Sequence, residues 1–153
     1  MYSLLKTVHI LSAAVLFGTG MGIAFFQFMA WRSRDVKVFA AIARLTVIAD
    51  WLFTASAVVL QPLSGLLLLK MAGYPWNAPW LLWSYGLYLL AGVMWLPVVW
   101  MQGRIARFAA QAVAEQQPIP AEAHRLMRIW FCCGWPAFGA VLGIYWLMIA
   151  KPL

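Results

Sequence analysis

Residues 4–31 read LLKTVHILSAAVLFGTGMGIAFFQFMAW, and the run stops at Arg32-Ser33-Arg34-Asp35. Within it Lys6 is the only Lys, Arg, Asp or Glu. A helix that crosses a bilayer needs about 20 mostly apolar residues, and this stretch exceeds that. It is also longer than the roughly 7–15 apolar residues of a signal-peptide core, so it reads as a retained membrane anchor. Three further stretches have the same character: Ile48 to Met71, Trp80 to Gln102, and Arg128 to Ala150. Gly73-Tyr74-Pro75 breaks the second through φ freedom and a missing N–H, and Lys151-Pro152-Leu153 follows the fourth. Residues 36–47 read as an amphipathic lead-in to the second helix. Arg104 to Gln116 extends the third into water until Pro118 and Pro120 stop it.

Composition agrees. Of 153 residues, 65% are hydrophobic and only 10% charged, against about a quarter charged in soluble domains. Mean hydropathy is +0.84. These values exclude a soluble globule, a disordered chain, a collagen-like repeat and a secreted disulfide scaffold. The net charge of +7 does not point to nucleic acid, because the basic residues sit at the ends of apolar runs and form no patch. The expected fold is all-α: an integral-membrane four-helix bundle, up-down-up-down, forming one transmembrane domain over residues 1–153.

Loop charge sets the expected orientation. Arg32, Arg34, Lys37 and Arg44 lie between the first two helices, and Arg104, Arg107, Arg125 and Arg128 between the last two. The opposite side carries only Lys6, Lys70 and Lys151. Cytoplasmic loops collect Lys and Arg, so both termini are expected outside a bacterial cytoplasmic membrane. Tyr74, Trp76, Trp80 and Trp83 then form an outer aromatic belt.

Residues three and four apart share a helix face, and each helix shows one polar or small-residue stripe. The stripes are Lys6, His9, Ala13, Gly20 and Gln27; Asp50, Thr54, Ala57, Gln61 and Ser64; Ser84, Tyr88, Ala91, Trp95 and Gln102; and Arg128, Cys132, Trp135, Gly139 and Trp146. Turned toward one another, they predict a polar interior. Small residues and hydroxyls also let membrane helices pack with no role beyond folding. Ionisable groups inside a membrane are functional candidates. Asp50 sits about one turn inside the arginine-rich boundary, where Arg44, Arg107 or Arg128 could pair with it. It is read either as half of a structural ion pair or as a site residue, and a proton- or cation-coupled transporter built on it is a further reading.

His9 lies one turn from Lys6 on the same face. With Gln61 and Ser64 opposite and an aromatic wall of Tyr88, Trp83 and Trp146, it predicts a pocket near the outer surface. An imidazole there can ligate haem iron as the metal ligand, with Lys6 or Lys151 near the propionates; the iron is then five-coordinate or takes a second ligand from Gln61, a Met or another subunit. Cys132 and Cys133 are adjacent in a helix, diverge by about 100°, and read as reduced core residues. His124 belongs to the opposite end and cannot share a metal with His9. Zinc spacing, a phosphate loop and a nucleophile triad are all absent.

Leu5-Lys6-Thr7-Val8-His9-Ile10, Phe17-Gly18-Thr19-Gly20, the run from Asp50-Trp51-Leu52-Phe53-Thr54 to Gln61-Pro62-Leu63-Ser64-Gly65, Trp95-Leu96-Pro97 and Pro136-Ala137-Phe138 resemble a bacterial integral-membrane family catalogued only as a domain of unknown function. The likeness covers nearly the whole chain and brings no activity with it. More distantly, the Lys-x-x-His opening, the Trp-led third helix and the Lys-Pro ending are similar to the HemJ-type protoporphyrinogen oxidases, and more loosely to CopD-type membrane proteins. That resemblance implies a small helical bundle holding haem b, with His9 at a functional position and a redox or porphyrin-handling role. The sequence departs from the HemJ pattern at Leu82-Trp83-Ser84, where that family has a His and a Lys, and at Gln102-Gly103, where it has a His. The alternative expectation is a cofactor-free accessory subunit of a larger membrane complex or a homo-oligomer, or a binder of a lipid- or quinone-like molecule.

Overall fold

A computed structural model describes residues 1–152 and contains four long helices. Helix α1 spans Tyr2–Ser33, α2 Val36–Ala72, α3 Pro79–Ala114 and α4 Ala121–Ala150. Each is long and apolar enough to cross a membrane, and among the described residues there is no strand. At 1.5 Å per residue, the 36 residues of α3 outreach a hydrocarbon core of about 30 Å. The arginine-rich end of the bundle therefore projects beyond the span.

Local chemistry explains where the helices stop. Arg34 caps α1 in the left-handed region at φ 58°. Asp35 then starts α2, its Oδ1 accepting from the Lys37 and Val38 N–H groups at 2.9 and 3.1 Å, which are otherwise orphaned at a helix start. Gly73 ends α2 at φ 72°, a conformation open to a residue without Cβ. Pro79 occupies the first turn of α3, where its lack of an N–H costs nothing.

Two boundaries differ from the sequence reading. The lead-in of residues 36–47 is itself helical, so that α2 starts at Val36 rather than Ile48 and continues to Ala72. Helix α4 begins at Ala121, earlier than Arg128, because the charged Glu122, Arg125 and Arg128 keep an extramembrane helical face while Ala123, Leu126 and Met127 are buried. Hydropathy marks the lipid-crossing part of a helix and is silent about turns that continue into water.

The buried core lies toward the arginine-rich half. Ile23, Ala30, Phe39, Ala43, Val98, Met101, Ile105, Ala109, Leu126, Met127 and Trp130 pack there as one cluster. A smaller cluster of Leu69, Ala78, Trp80, Leu81 and Leu147 closes the other end. Between α1 and α4 the contact is aromatic: Phe17 stacks on Phe138 at 5.1 Å, and Phe28 meets Phe131 edge-on at 5.2 Å.

The interior face of α4 is not the anticipated one. Arg128, Cys132, Trp135, Gly139 and Trp146 are exposed, Trp135 by 70%. The inward face carries Ala123, Met127, Trp130, Ala140 and Leu147. Lipid is as apolar as the side chains, so burial within the bundle follows close packing rather than polarity. Small alanines alternating with Met127 and Trp130 fit the facing helices better than two bulky tryptophans.

Ala109 is fully buried in that core while its neighbour Ala110 is exposed. Ala109→Leu is expected to overpack the site and destabilise the protein by about 1–3 kcal/mol, lowering its thermal unfolding midpoint in detergent. Ala110→Leu should leave the midpoint unchanged.

Candidate functional site

The polar row of α2 faces inward as anticipated: Asp50, Thr54, Ala57 and Ser64 are buried and Gln61 is partly so. Its first part contains one wide turn. The Ala55 N–H donates to the Asp50 carbonyl, five residues back, making a π-turn over Asp50–Thr54, a distortion frequent at functional sites. This turn sends Trp51, Leu52 and Phe53 to the outside and keeps Asp50 and Thr54 within.

At the end of the bundle opposite the arginines, His9 of α1 meets α2. His9 Nδ1 lies 2.8 Å from Ser64 Oγ. The Ser64 hydroxyl donates its single proton to the Leu60 carbonyl at 2.5 Å, so its oxygen accepts and His9 Nδ1–H is the donor. The neutral imidazole then carries its free lone pair on Nε2. Gln61 Nε2 donates to the His9 carbonyl at 2.8 Å and to Ser12 Oγ at 2.5 Å, and Ser12 Oγ donates to the same carbonyl at 3.2 Å. The ring lies close over Gly65, where an added Cβ would sit 3.3 Å from His9 Cε1.

Pro62 contributes indirectly. A proline in a helix has no N–H for the carbonyl four residues back, here that of Val58. Tyr88 of α3 supplies the missing donor, its hydroxyl bonding to the Val58 oxygen. Tyr88 is thereby a clamp between α2 and α3 rather than a free wall of a pocket.

Other anticipated members lie elsewhere. Trp83 and Trp146 line a groove of about 420 Å³ between α3 and α4, together with Pro79, Trp80, Leu87, Gly143, Leu147 and Pro152. His9 is not among its walls. Lys151 Nζ donates to Tyr74 Oη at 2.9 Å and stands over the Tyr74 and Trp80 rings. Lys6 is exposed. Gln61 braces α2 against α1 through its amide nitrogen. The proposed pocket thus resolves into two places: a His9–Ser64–Gln61–Ser12 cluster between α1 and α2, and an aromatic groove between α3 and α4.

The expected arginine partner of Asp50 is not there. Arg44 and Arg128 are exposed, and the one salt bridge among the described residues joins Arg104 to Glu122 at 2.8 Å. The Asp50 carboxylate instead accepts from Trp95 Nε1 at 3.2 and 3.4 Å. Arginines on an amphipathic face reach the watery boundary more cheaply than the interior. One turn nearer the arginine-rich end, Thr46 Oγ1 donates to Gln27 Oε1 at 3.2 Å and Gln27 Nε2 to Met127 Sδ at 3.5 Å. Gln102 is buried beside this core. At the arginine-rich boundary Trp31 Nε1 donates to His124 Nδ1 at 2.7 Å.

Sequence reading missed Ser12, Thr46 and Trp130. Ser12 and Thr46 could have been found from their spacing of three from His9 and four from Asp50. Trp130 gave no such signal. Both cysteines are free, and among the described residues no group of three or more His, Cys, Asp and Glu could hold a metal.

The model of a family described as "Predicted integral membrane protein (DUF2269)" matches residues 3–152. No curated protein and no solved structure matches the chain.

Nitrogen NMR of ¹⁵N-histidine-labelled protein should show His9 as the Nδ1-protonated tautomer. Gly65→Ala, by pushing on Cε1, and Ser64→Ala, by removing the acceptor, should each convert it to a mixture. The second should also destabilise the protein by about 1 kcal/mol. An Nε2-protonated His9 in the unmodified protein would contradict the assignment.

Proposed function

Starting from a chain that belongs to this family of integral membrane proteins, we propose that it binds haem b within the bilayer, with His9 Nε2 as the axial ligand, and has a redox or porphyrin-handling role. One observation carries the reading: the Ser64 acceptor on Nδ1 leaves Nε2 with the lone pair a metal needs. Ligating histidines characteristically donate their other ring nitrogen to a partner that fixes tautomer and ring orientation, and Ser64 has that relation to His9.

The donor chemistry fits one axial ligand. Tyr88 is engaged on the Val58 carbonyl and the Gln61 amide nitrogen on the His9 carbonyl, so His9 would be the residue that holds the iron. Bound there, haem supplies one-electron chemistry. Ser64 and Gly65 set the plane of the imidazole, Gln61 and Ser12 hold the backbone beneath it, and Lys6 is the exposed cation available to a propionate. We place the His9 end on the extracytoplasmic side of a bacterial cytoplasmic membrane, by the bias of arginine toward the other end.

The aromatic groove favours a second reading, a cofactor-free protein that holds a lipid- or quinone-like molecule between α3 and α4, alone, as a homo-oligomer or as a subunit of a larger complex. Its walls are apolar and Lys151 stands beside Tyr74 and Trp80, near the position of a headgroup.

An optical spectrum decides between them. Protein purified after expression with ample haem supply should show a Soret band that His9→Ala abolishes and Ser64→Ala shifts. A colourless preparation, or a His9→Ala spectrum identical to that of the unmodified protein, would end the haem reading. A quinone or phospholipid extracted in stoichiometric amount from colourless protein would establish the second.

A further inference from the structure

Asp50 takes no part in the His9 site, and its surroundings are unusual for a carboxyl group. It is 4% exposed in the interior of a membrane bundle. Its side-chain surroundings are neutral: the indole N–H of Trp95 donates to it and the Thr54 hydroxyl stands beside it. No Lys, Arg or His nitrogen lies within 4 Å of it among the described residues. On α1 there is no titratable side chain between His9 and Arg32, and on α3 none between Tyr88 and Arg104. Tyr88 is bonded to the Val58 carbonyl and Arg104 to Glu122. On α4 the stretch between Arg128 and Tyr145 holds only Cys132 and Cys133, exposed and half-exposed. On its own helix the nearest cation is Arg44, exposed at the surface. Neutral donors alone do not offset the cost of an ionised carboxylate in such a place, and a group so situated neutralises instead.

The neighbouring polar atoms point the same way. Thr54 Oγ1, at the far end of the π-turn, is a buried hydroxyl with no partner within hydrogen-bond distance. Buried polar groups without partners are rare and ask for an explanation. A proton on the Asp50 carboxyl adds a donor that the Thr54 oxygen beside it can accept.

We propose that Asp50 is a proton-binding site inside the bilayer, and that its proton exchanges with the arginine-rich end of the bundle. The direction follows from the side chains on either side. Toward that end the next turn offers the Thr46 hydroxyl, then Gln27, then the Trp31–His124 pair. Toward His9 the same face of α2 offers buried Ala57 and the Val58 carbonyl, already taken by Tyr88. The site is separate from the haem reading and does not depend on it.

The chain makes this testable, because it has only four acidic side chains, and Asp35, Glu115 and Glu122 are exposed. Infrared spectra of the protein in lipid at neutral pH should show a C=O band from an un-ionised carboxylic acid. The band should shift in D₂O and be lost in Asp50→Asn. In Asp50→Glu, which keeps the proton if Asn does not fold, it should move in frequency. Thr46→Val or Gln27→Leu should slow the D₂O shift. His9→Ala should leave the band in place, so a failed haem assignment and a failed proton site are told apart. An ionised Asp50 at neutral pH, whether bound to a metal cation or paired, overturns the proposal, as does a band that never exchanges with D₂O. An exchange rate unchanged in both Thr46→Val and Gln27→Leu overturns the route.

Discussion

Hydrocarbon offers no hydrogen bonds, so each polar group carried into the bilayer must find its partner on the protein itself. Most features of this bundle answer that constraint. Pro62 removes one N–H from α2, the Val58 carbonyl loses its donor, and Tyr88 reaches across from α3 to replace it. Gln27 receives the Thr46 hydroxyl and gives its amide to Met127, tying α1, α2 and α4 together with one side chain. Gln61 and Ser12 close over the His9 carbonyl in the same way. Each bond is modest in free energy, yet each also fixes the rotation of a helix whose apolar surface would be equally content facing lipid.

Against that background the exceptions stand out by their chemistry. Thr54 Oγ1, Gln102 Oε1 and Trp130 Nε1 are buried polar atoms without a partner, Asp50 is a buried carboxyl without a counter-ion, and His9 is bonded through Nδ1 alone of its ring nitrogens. His9 lies between α1 and α2 and Asp50 with Thr54 in the π-turn, with Ala57 and the Tyr88 clamp between them. A neutral imidazole with a fixed tautomer and a carboxyl without a counter-ion differ in what they accept: the first a metal or a hydrogen-bond donor, the second a proton. The packing treats them differently as well. His9 rests on Gly65 in a cluster whose backbone is braced, whereas Asp50 occupies a widened turn of α2.

The share of this legible in the sequence follows from the kind of signal each feature leaves. Four spans, the polar rows of α2 and α3 and the meeting of His9 with Gln61 and Ser64 follow from run length and a 3.6-residue period. The α4 stripe failed because Arg128, Cys132, Trp135 and Trp146 share a spacing but not a packing role. The ion pair anticipated for Asp50 failed because Arg44 and Arg128, though close in sequence level, turn to the surface. The pocket imagined around His9 gathered residues from the same end of the bundle that the fold distributes over two helix interfaces.

By itself the sequence determined that this protein lives in a membrane as a helical bundle, since twenty-odd apolar residues in a row have no other stable environment. It also determined that one imidazole and one carboxylate would be carried inside. Only the tertiary structure decided what those two groups meet: Ser64 and Gly65 for His9, Trp95 with no counter-ion for Asp50. The reason is that lipid and helix interiors are equally apolar, so hydropathy has no preference among rotations. The choice falls to shape and hydrogen-bond complementarity between helices, which exist only after the helices are side by side.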